Sequence, residues 1–138
     1  MALSMLLNGA DGDTKNQLKK GLGLHFFTED GVKNLDSEYH DVLEKLNSTE
    51  HVRLESANRV FLAKEASSEF NEAFQDTFGD KPSVVNFKDE PEITRSIINQ
   101  FVENKTHGKI QNLIPKEILK PNTAFVIINA LYFKGNAL

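Results

Sequence analysis

The chain has no cysteine. That excludes a disulfide framework, a thiol nucleophile and a cysteine-based zinc site, and it leaves the redox compartment open. Long apolar runs are missing too, since none approaches the roughly 20 residues that cross a bilayer. The opening stretch, Met1 to Leu7, is apolar but lacks the basic flank of a signal peptide. Basic residues are in deficit, 16 Lys and Arg against 20 Asp and Glu, for a net charge of -4. Nucleic acids and anionic membranes recruit clustered positive charge, so neither is an expected partner. There is no repeat, low-complexity tract or linker, so the 138 residues are expected to form one interrupted domain.

What is present is a long strand-like run. Thr123 to Gly135 is rich in β-branched and aromatic residues, holds no proline, and is apolar on both alternating sets of side chains. That pattern predicts a central strand covered on both faces. At about 3.3 Å per residue it would span roughly 40 Å and form the spine of a sheet. Only earlier segments are available to pair with it, so one edge is expected to lie open.

Ahead of it, Met1 to Leu7 predicts a short helix that stops near Asn8-Gly9. Asp11-Gly12-Asp13 reads as a turn, and Thr14 with Gln17 has capping-box spacing for a second helix through Leu18 and Leu22. His25 to Asn34 reads as a surface loop with turn chemistry at Glu29-Asp30-Gly31. Asp36 or Ser37 then caps an acidic helix with an apolar stripe of Tyr39, Val42, Leu43 and Leu46. From His51 the period becomes two, and a strand continues through Ala57 to Leu62. Phe70, Phe74 and Phe78 predict a further helix, and Ser83 to Phe87 a short strand. Pro91 suits the first turn of a last helix. Ile93, Ile97 and Phe101 are expected on its inner face, supported by Ile98, and it stops near Thr106-His107-Gly108. The fold class is α+β.

Four motifs carry a resemblance. Ile98-Asn99-Gln100-Phe101-Val102, followed by Thr106-His107-Gly108-Lys109-Ile110, is similar to a serpin helix and its exit. Asn129-Ala130-Leu131-Tyr132-Phe133-Lys134-Gly135 is similar to the end of the long serpin strand. Leu6 to Thr14 resembles the serpin Leu-x-x-Gly-Ala-x-Gly-x-Thr turn, and Ala57-Asn58-Arg59-Val60-Phe61 the next strand. Each alone is weak, but together they stand in the family's order over nearly the whole chain. One position departs, because the family's Trp two residues after the Lys-Gly glycine is Ala137 here.

The resemblance implies that residues 1–138 form a partial serpin domain of α+β class, with helices B to F packed on the first three strands of sheet A. Helix A, the start of helix B, the rest of sheet A, sheets B and C and the reactive-centre loop would lie outside it. It implies structural motif roles for Asn99, Thr106, Gly108, Phe133, Lys134 and Gly135. It also places Asn129 in the shutter, a polar cluster that controls opening of sheet A, with its other polar partners largely outside this chain. Without the resemblance, Asn129 reads better as a hydrogen-bonded core amide with no switching role.

By the same resemblance, the full-length parent would inhibit a serine protease, or less often a cysteine protease. Its loop would be cleaved and inserted into sheet A beside the strand that matches Thr123 to Lys134. These residues alone, without the loop, are expected to be inactive. The alternative is a non-inhibitory binding or chaperone member. The family favours an extracellular setting, with a cytoplasmic one as the alternative, and the open strand edge is a self-association hazard.

Other signals are weaker. Lys134-Gly135 lacks the upstream glycines of a phosphate loop, and Gly21-Leu22-Gly23 lacks a third spaced glycine and a preceding strand. His25, His40, His51 and His107 have no metal-ligand spacing and are expected on the surface or locally bonded. Glu38, Asp41 and Glu44 on the helix matching serpin helix D argue against heparin activation. Asn47-Ser48-Thr49 and Asn104-Lys105-Thr106 have the form of glycosylation acceptors, a tripeptide that also arises by chance. No nucleophile and base constellation, paired acid site or metal site stands out, so neither an enzyme nor a cofactor is expected.

Overall fold

The computed structural model describes residues 2–47, 52–64 and 81–135. The element order is α1 (Ala2–Asn8), α2 (Gly12–Gly21), α3 (Glu29–Asn47), β1 (Val52–Ala63), β2 (Ser83–Val85), α4 (Pro91–Lys105) and β3 (Phe125–Gly135). The strands form one mixed sheet in the order β2-β1-β3, with β1 parallel to β2 and antiparallel to β3. The helix expected around Phe70, Phe74 and Phe78 lies outside the described residues.

Register sorts the side chains. Ala57 stands opposite Ala130 and Phe61 opposite Val126, on the face covered by α4. There Phe61, Phe87, Ile98, Val102 and Ile128 are buried, each burial contributing about 1.5 to 3 kcal/mol. Arg59 lies 5.1 Å from the centre of the Phe101 ring, which meets Phe61 edge-on. On the other face Val60 and Leu62 pack with Met5 of α1, and Ile127 leans on them.

The buried stripe of α4 is not the expected one. Ile93 and Ile97 are 57% and 47% exposed, whereas Thr94, Ile98, Val102 and Thr106 are at most 2% exposed. These four recur every fourth residue, which is one helix face. Threonine can take inner positions here because both hydroxyls have partners. Thr94 Oγ1 donates to the Asn86 carbonyl at 3.1 Å, and Thr106 Oγ1 to the Val102 carbonyl at 2.8 Å.

Two helix starts also differ. Asp11 caps α2 by accepting from the Gly12 N–H, so Thr14 lies inside the helix and Asp11-Gly12-Asp13 opens it. Thr28 Oγ1 accepts from the Gly31 N–H at 3.1 Å, which starts α3 at Glu29. Glu29-Asp30-Gly31 is therefore a first helical turn, and Asp36 and Ser37 fall mid-helix. A threonine followed by acidic residues satisfies both the cap and the helix dipole, which outweighs the turn tendency of Gly31. Of the stripe expected on this helix, Val42 is 52% exposed, and the side chains of Tyr39, Leu43 and Leu46 lie outside the described residues.

β3 is an edge strand in this sheet, not a central one covered on both faces. Its outer edge has no strand neighbour among the described residues, and Phe125, Leu131 and Phe133 are 47%, 54% and 65% exposed. The open edge agrees with expectation. The segment between α4 and β3 is tied back to the helix by side chains. Asn99 donates to the Ile114 carbonyl at 3.0 Å and accepts from the Ile114 N–H at 2.8 Å, while Arg95 also donates to that carbonyl. Asn99 is 7% exposed. Asn99→Ala should therefore orphan a buried N–H and lower stability by about 1 to 3 kcal/mol. Urea unfolding measures this, and a loss below about 0.5 kcal/mol would contradict the pinning role.

Candidate functional site

The polar residues of the sheet form two separate groups, one on each face. Asn58 stands directly opposite Asn129 in the β1–β3 ladder, on the face away from α4. Asn129 Nδ2 donates to Asn58 Oδ1, and Asn58 Nδ2 donates to Ser56 Oγ at 2.7 Å. Asn129 is exposed, not enclosed in apolar strand packing, and it does have a partner within this chain. Around this polar chain, Leu131 and Phe133 are exposed and Ile127 is half-buried. Asn58 belongs to a quoted motif, but nothing in the sequence pairs it with a residue 71 positions away.

The second group closes the end of α4 onto the sheet. Thr106 Oγ1 donates to the Val102 carbonyl and accepts from the Ile110 N–H at 3.1 Å. Gly108 takes a left-handed φ of 75° and its N–H donates to the Glu103 carbonyl at 2.8 Å, closing the helix as a glycine after the last turn does. His107 between them is carried over the strands. Its Nε2 lies 2.8 Å from Glu55 Oε2 on β1, and its ring lies 4.7 Å from that of Tyr132 on β3. His107 is exposed, as expected of a surface histidine, and its carboxylate partner stands 52 residues away in the chain.

Glu55 is the acid at the centre of this group. Arg53 Nε donates to it at 2.6 Å, and Lys134 stands opposite Arg53 in the ladder. Partial burial works against the charged carboxylate, but the hydrogen bonds and charges of Arg53 and His107 outweigh it and hold Glu55 below the usual glutamate range.

The residues singled out from the sequence divide accordingly. Thr106 and Gly108 shape the end of α4, and Asn99 holds the following segment two turns earlier. Phe133, Lys134 and Gly135 end β3 opposite Leu54, Arg53 and Val52, and both Phe133 and Lys134 are exposed. Of these, Phe133 and Gly135 share by register the face of Asn129, which lies away from α4 with Asn58. No group of three metal-ligating side chains occurs among the described residues, and no described helix is long and apolar enough to cross a membrane. Glu38, Asp41 and Glu44 are exposed on α3.

A family model described as Serpin (serine protease inhibitor) matches residues 1–137. The chain belongs to the serpin family. Human Serpin B3 is 34% identical over 148 residues, covering 97% of this chain and 38% of its own length. Human antithrombin-III is 36% identical over 145 residues, covering 97% and 30%. Iripin-2 of Ixodes ricinus is 36% identical over 139 residues, covering 97% and 34%. The chain thus spans about a third of the length of these curated relatives.

Solved serpin folds agree. Emu (Dromaius novaehollandiae) ovalbumin superposes with a TM-score of 0.81 at 24% identity, covering 97% of this chain and 38% of that one. Arabidopsis AtSerpin1 in its native stressed conformation gives 0.80 at 26% identity, covering 96% and 34%. The fold is α+β, a partial serpin domain of helices and a three-stranded mixed sheet. The family is one of protease inhibitors, not enzymes. Its members lie both outside cells, as antithrombin does, and inside them, as serpins of the B type do.

Two outcomes follow for this serpin sheet. A double-mutant cycle on Asn58→Ala and Asn129→Ala should give a coupling of about 0.5 to 1.5 kcal/mol, and strict additivity would show that the pair is not coupled. The Glu55 contribution, because its folded pKa is depressed, is fully present above the unfolded value of 4.5 and lost as pH falls through the lower folded value. The stability difference between wild type and Glu55→Gln should therefore shrink as pH falls below about 4.5. A difference that stays constant as the solution is acidified would refute it.

Proposed function

We propose that these residues work as the sheet A portion of a serine-type endopeptidase inhibitor whose remaining segments supply the reactive-centre loop. The observation that carries this reading is the outer edge of β3, a ladder of backbone donors and acceptors eleven residues long with no strand neighbour among the described residues. A cleaved loop entering the sheet would pair there and become the next strand. In this reading Asn129, with Asn58, sits in the shutter, and the exchange of their mutual hydrogen bond for bonds to the incoming segments accompanies opening. Thr106, Gly108 and the His107–Glu55 contact hold the end of α4 over the sheet while it is closed.

The target is a serine protease, or less often a cysteine protease, of the full-length parent. The 138 residues alone act as no inhibitor, because they hold no bait loop. Exposed Glu38, Asp41 and Glu44 on α3 offer heparin no attraction, and nucleic acids and membranes are not partners. We place the parent outside the cell by family, with the cytoplasm as the alternative. The open edge also makes pairing between copies the chief hazard of the isolated chain. A non-inhibitory carrier or chaperone role is the second reading, favoured where the parent's loop hinge is not built of small residues.

The isolated chain, mixed with trypsin-like or chymotrypsin-like proteases, should yield no SDS-stable complex, while the full-length parent should yield one with its target. A stable band from the isolated chain would overturn the division of labour proposed here. A cleaved but uncomplexed parent would favour the non-inhibitory reading.

A further inference from the structure

We propose that Asn104 is an N-glycan acceptor that can be filled only before the end of α4 closes. The proposal rests on the extracellular half of the reading above. Asn104-Lys105-Thr106 has the acceptor form Asn-x-Thr. In the folded chain its two functional groups meet different surroundings. Asn104 is exposed on the last turn of α4, whereas Thr106 is 1% exposed. The Thr106 hydroxyl is engaged, donating to the Val102 carbonyl at 2.8 Å and at the longer distance of 3.5 Å to the Glu103 carbonyl, and accepting from the Ile110 N–H at 3.1 Å. The Asn104 carbonyl accepts from the His107 N–H at 3.3 Å, which holds the tripeptide in its helical form.

The chemistry joins Asn104 Nδ2 to C1 of an oligosaccharide carried on a lipid diphosphate. The bond from C1 to the phosphate oxygen breaks, the lipid diphosphate leaves with the electron pair, and Nδ2 gives up one proton. No redox partner is involved. The transferase recognises the hydroxyl two residues after the asparagine as well as the amide. The folded cap therefore withholds half of the signal, while the exposed position of Asn104 leaves room for a glycan already attached. Occupancy becomes a race between transfer and closure of the α4 cap. Gly108 offers a way to slow closure without touching the tripeptide, because its φ of 75° strains any residue with a Cβ.

The full chain, in an Asn47→Gln background that removes the other acceptor tripeptide, is translated into endoplasmic-reticulum microsomes behind a cleavable leader. The same chain, purified and folded, is added to detergent-opened microsomes with a short acceptor peptide as activity control. One glycosidase-sensitive glycan is expected on the translated chain and lost in Asn104→Gln, with the folded chain modified at least about tenfold less and Gly108→Ala raising that folded-state yield several-fold. A chain whose leader is cleaved but which carries no glycan overturns the acceptor site. Equal modification of folded and nascent chains overturns the dependence on cap closure. Modification in microsomes, together with a bare protein isolated from its own cells, overturns the extracellular reading while leaving the acceptor chemistry standing.

Discussion

The β1–β3 ladder is the constraint on which the rest of the structure depends. All eleven residues of β3 are in antiparallel register with β1, from Phe125 opposite Leu62 to Gly135 opposite Val52. A strand alternates faces with a period of two, so a slip of β3 by one residue would exchange every one of its side chains between the α4 face and the opposite face. With β1 held in place, Ala130, small and buried opposite Ala57, would then give way to Asn129 or Leu131 beneath the helix. An amide under an apolar helix face, without a further partner, would be destabilising. Register and face assignment thus enforce each other.

From that ladder the two polar groups acquire opposite characters. The Asn58–Asn129 pair lies on the face away from α4, which it shares with exposed Leu131 and Phe133, and its mutual hydrogen bond joins neighbouring strands. The His107–Glu55 contact joins α4 to β1, with Tyr132 of β3 against the imidazole. It is partly exposed, and a solvent-screened contact of this kind contributes little next to the buried stripe of Thr94, Ile98, Val102 and Thr106.

Buried threonine is the unusual feature of α4. Thr94 and Thr106 bracket its inner face, and each hydroxyl is returned to backbone, one to the Asn86 carbonyl and one to the Val102 carbonyl. The exposed Ile93 and Ile97 run along the next face round the helix. An apolar count favours the isoleucine stripe, and packing chose the threonine stripe, because its hydroxyls were satisfied locally and could be buried at little cost.

Features that depend on neighbours within a few residues were legible in the chain alone. Pro91 marks the first turn of α4, Gly108 takes the left-handed position after it, and the alternating run after His51 became β1. The ordered motifs around Asn99, Thr106 and Asn129 were enough to place the family, because each is contiguous and their order is linear. Helix starts were less legible where Thr28 and Asp11 competed with better-looking caps a few residues on. It took the packed fold to bring Asn58 opposite Asn129, His107 to Glu55 and Asn99 to Ile114, and to put β3 at the edge of the sheet formed by the described residues. These contacts join residues far apart in the chain, and strand register and the choice of helix face are set by the packing of the whole, which no local pattern contains.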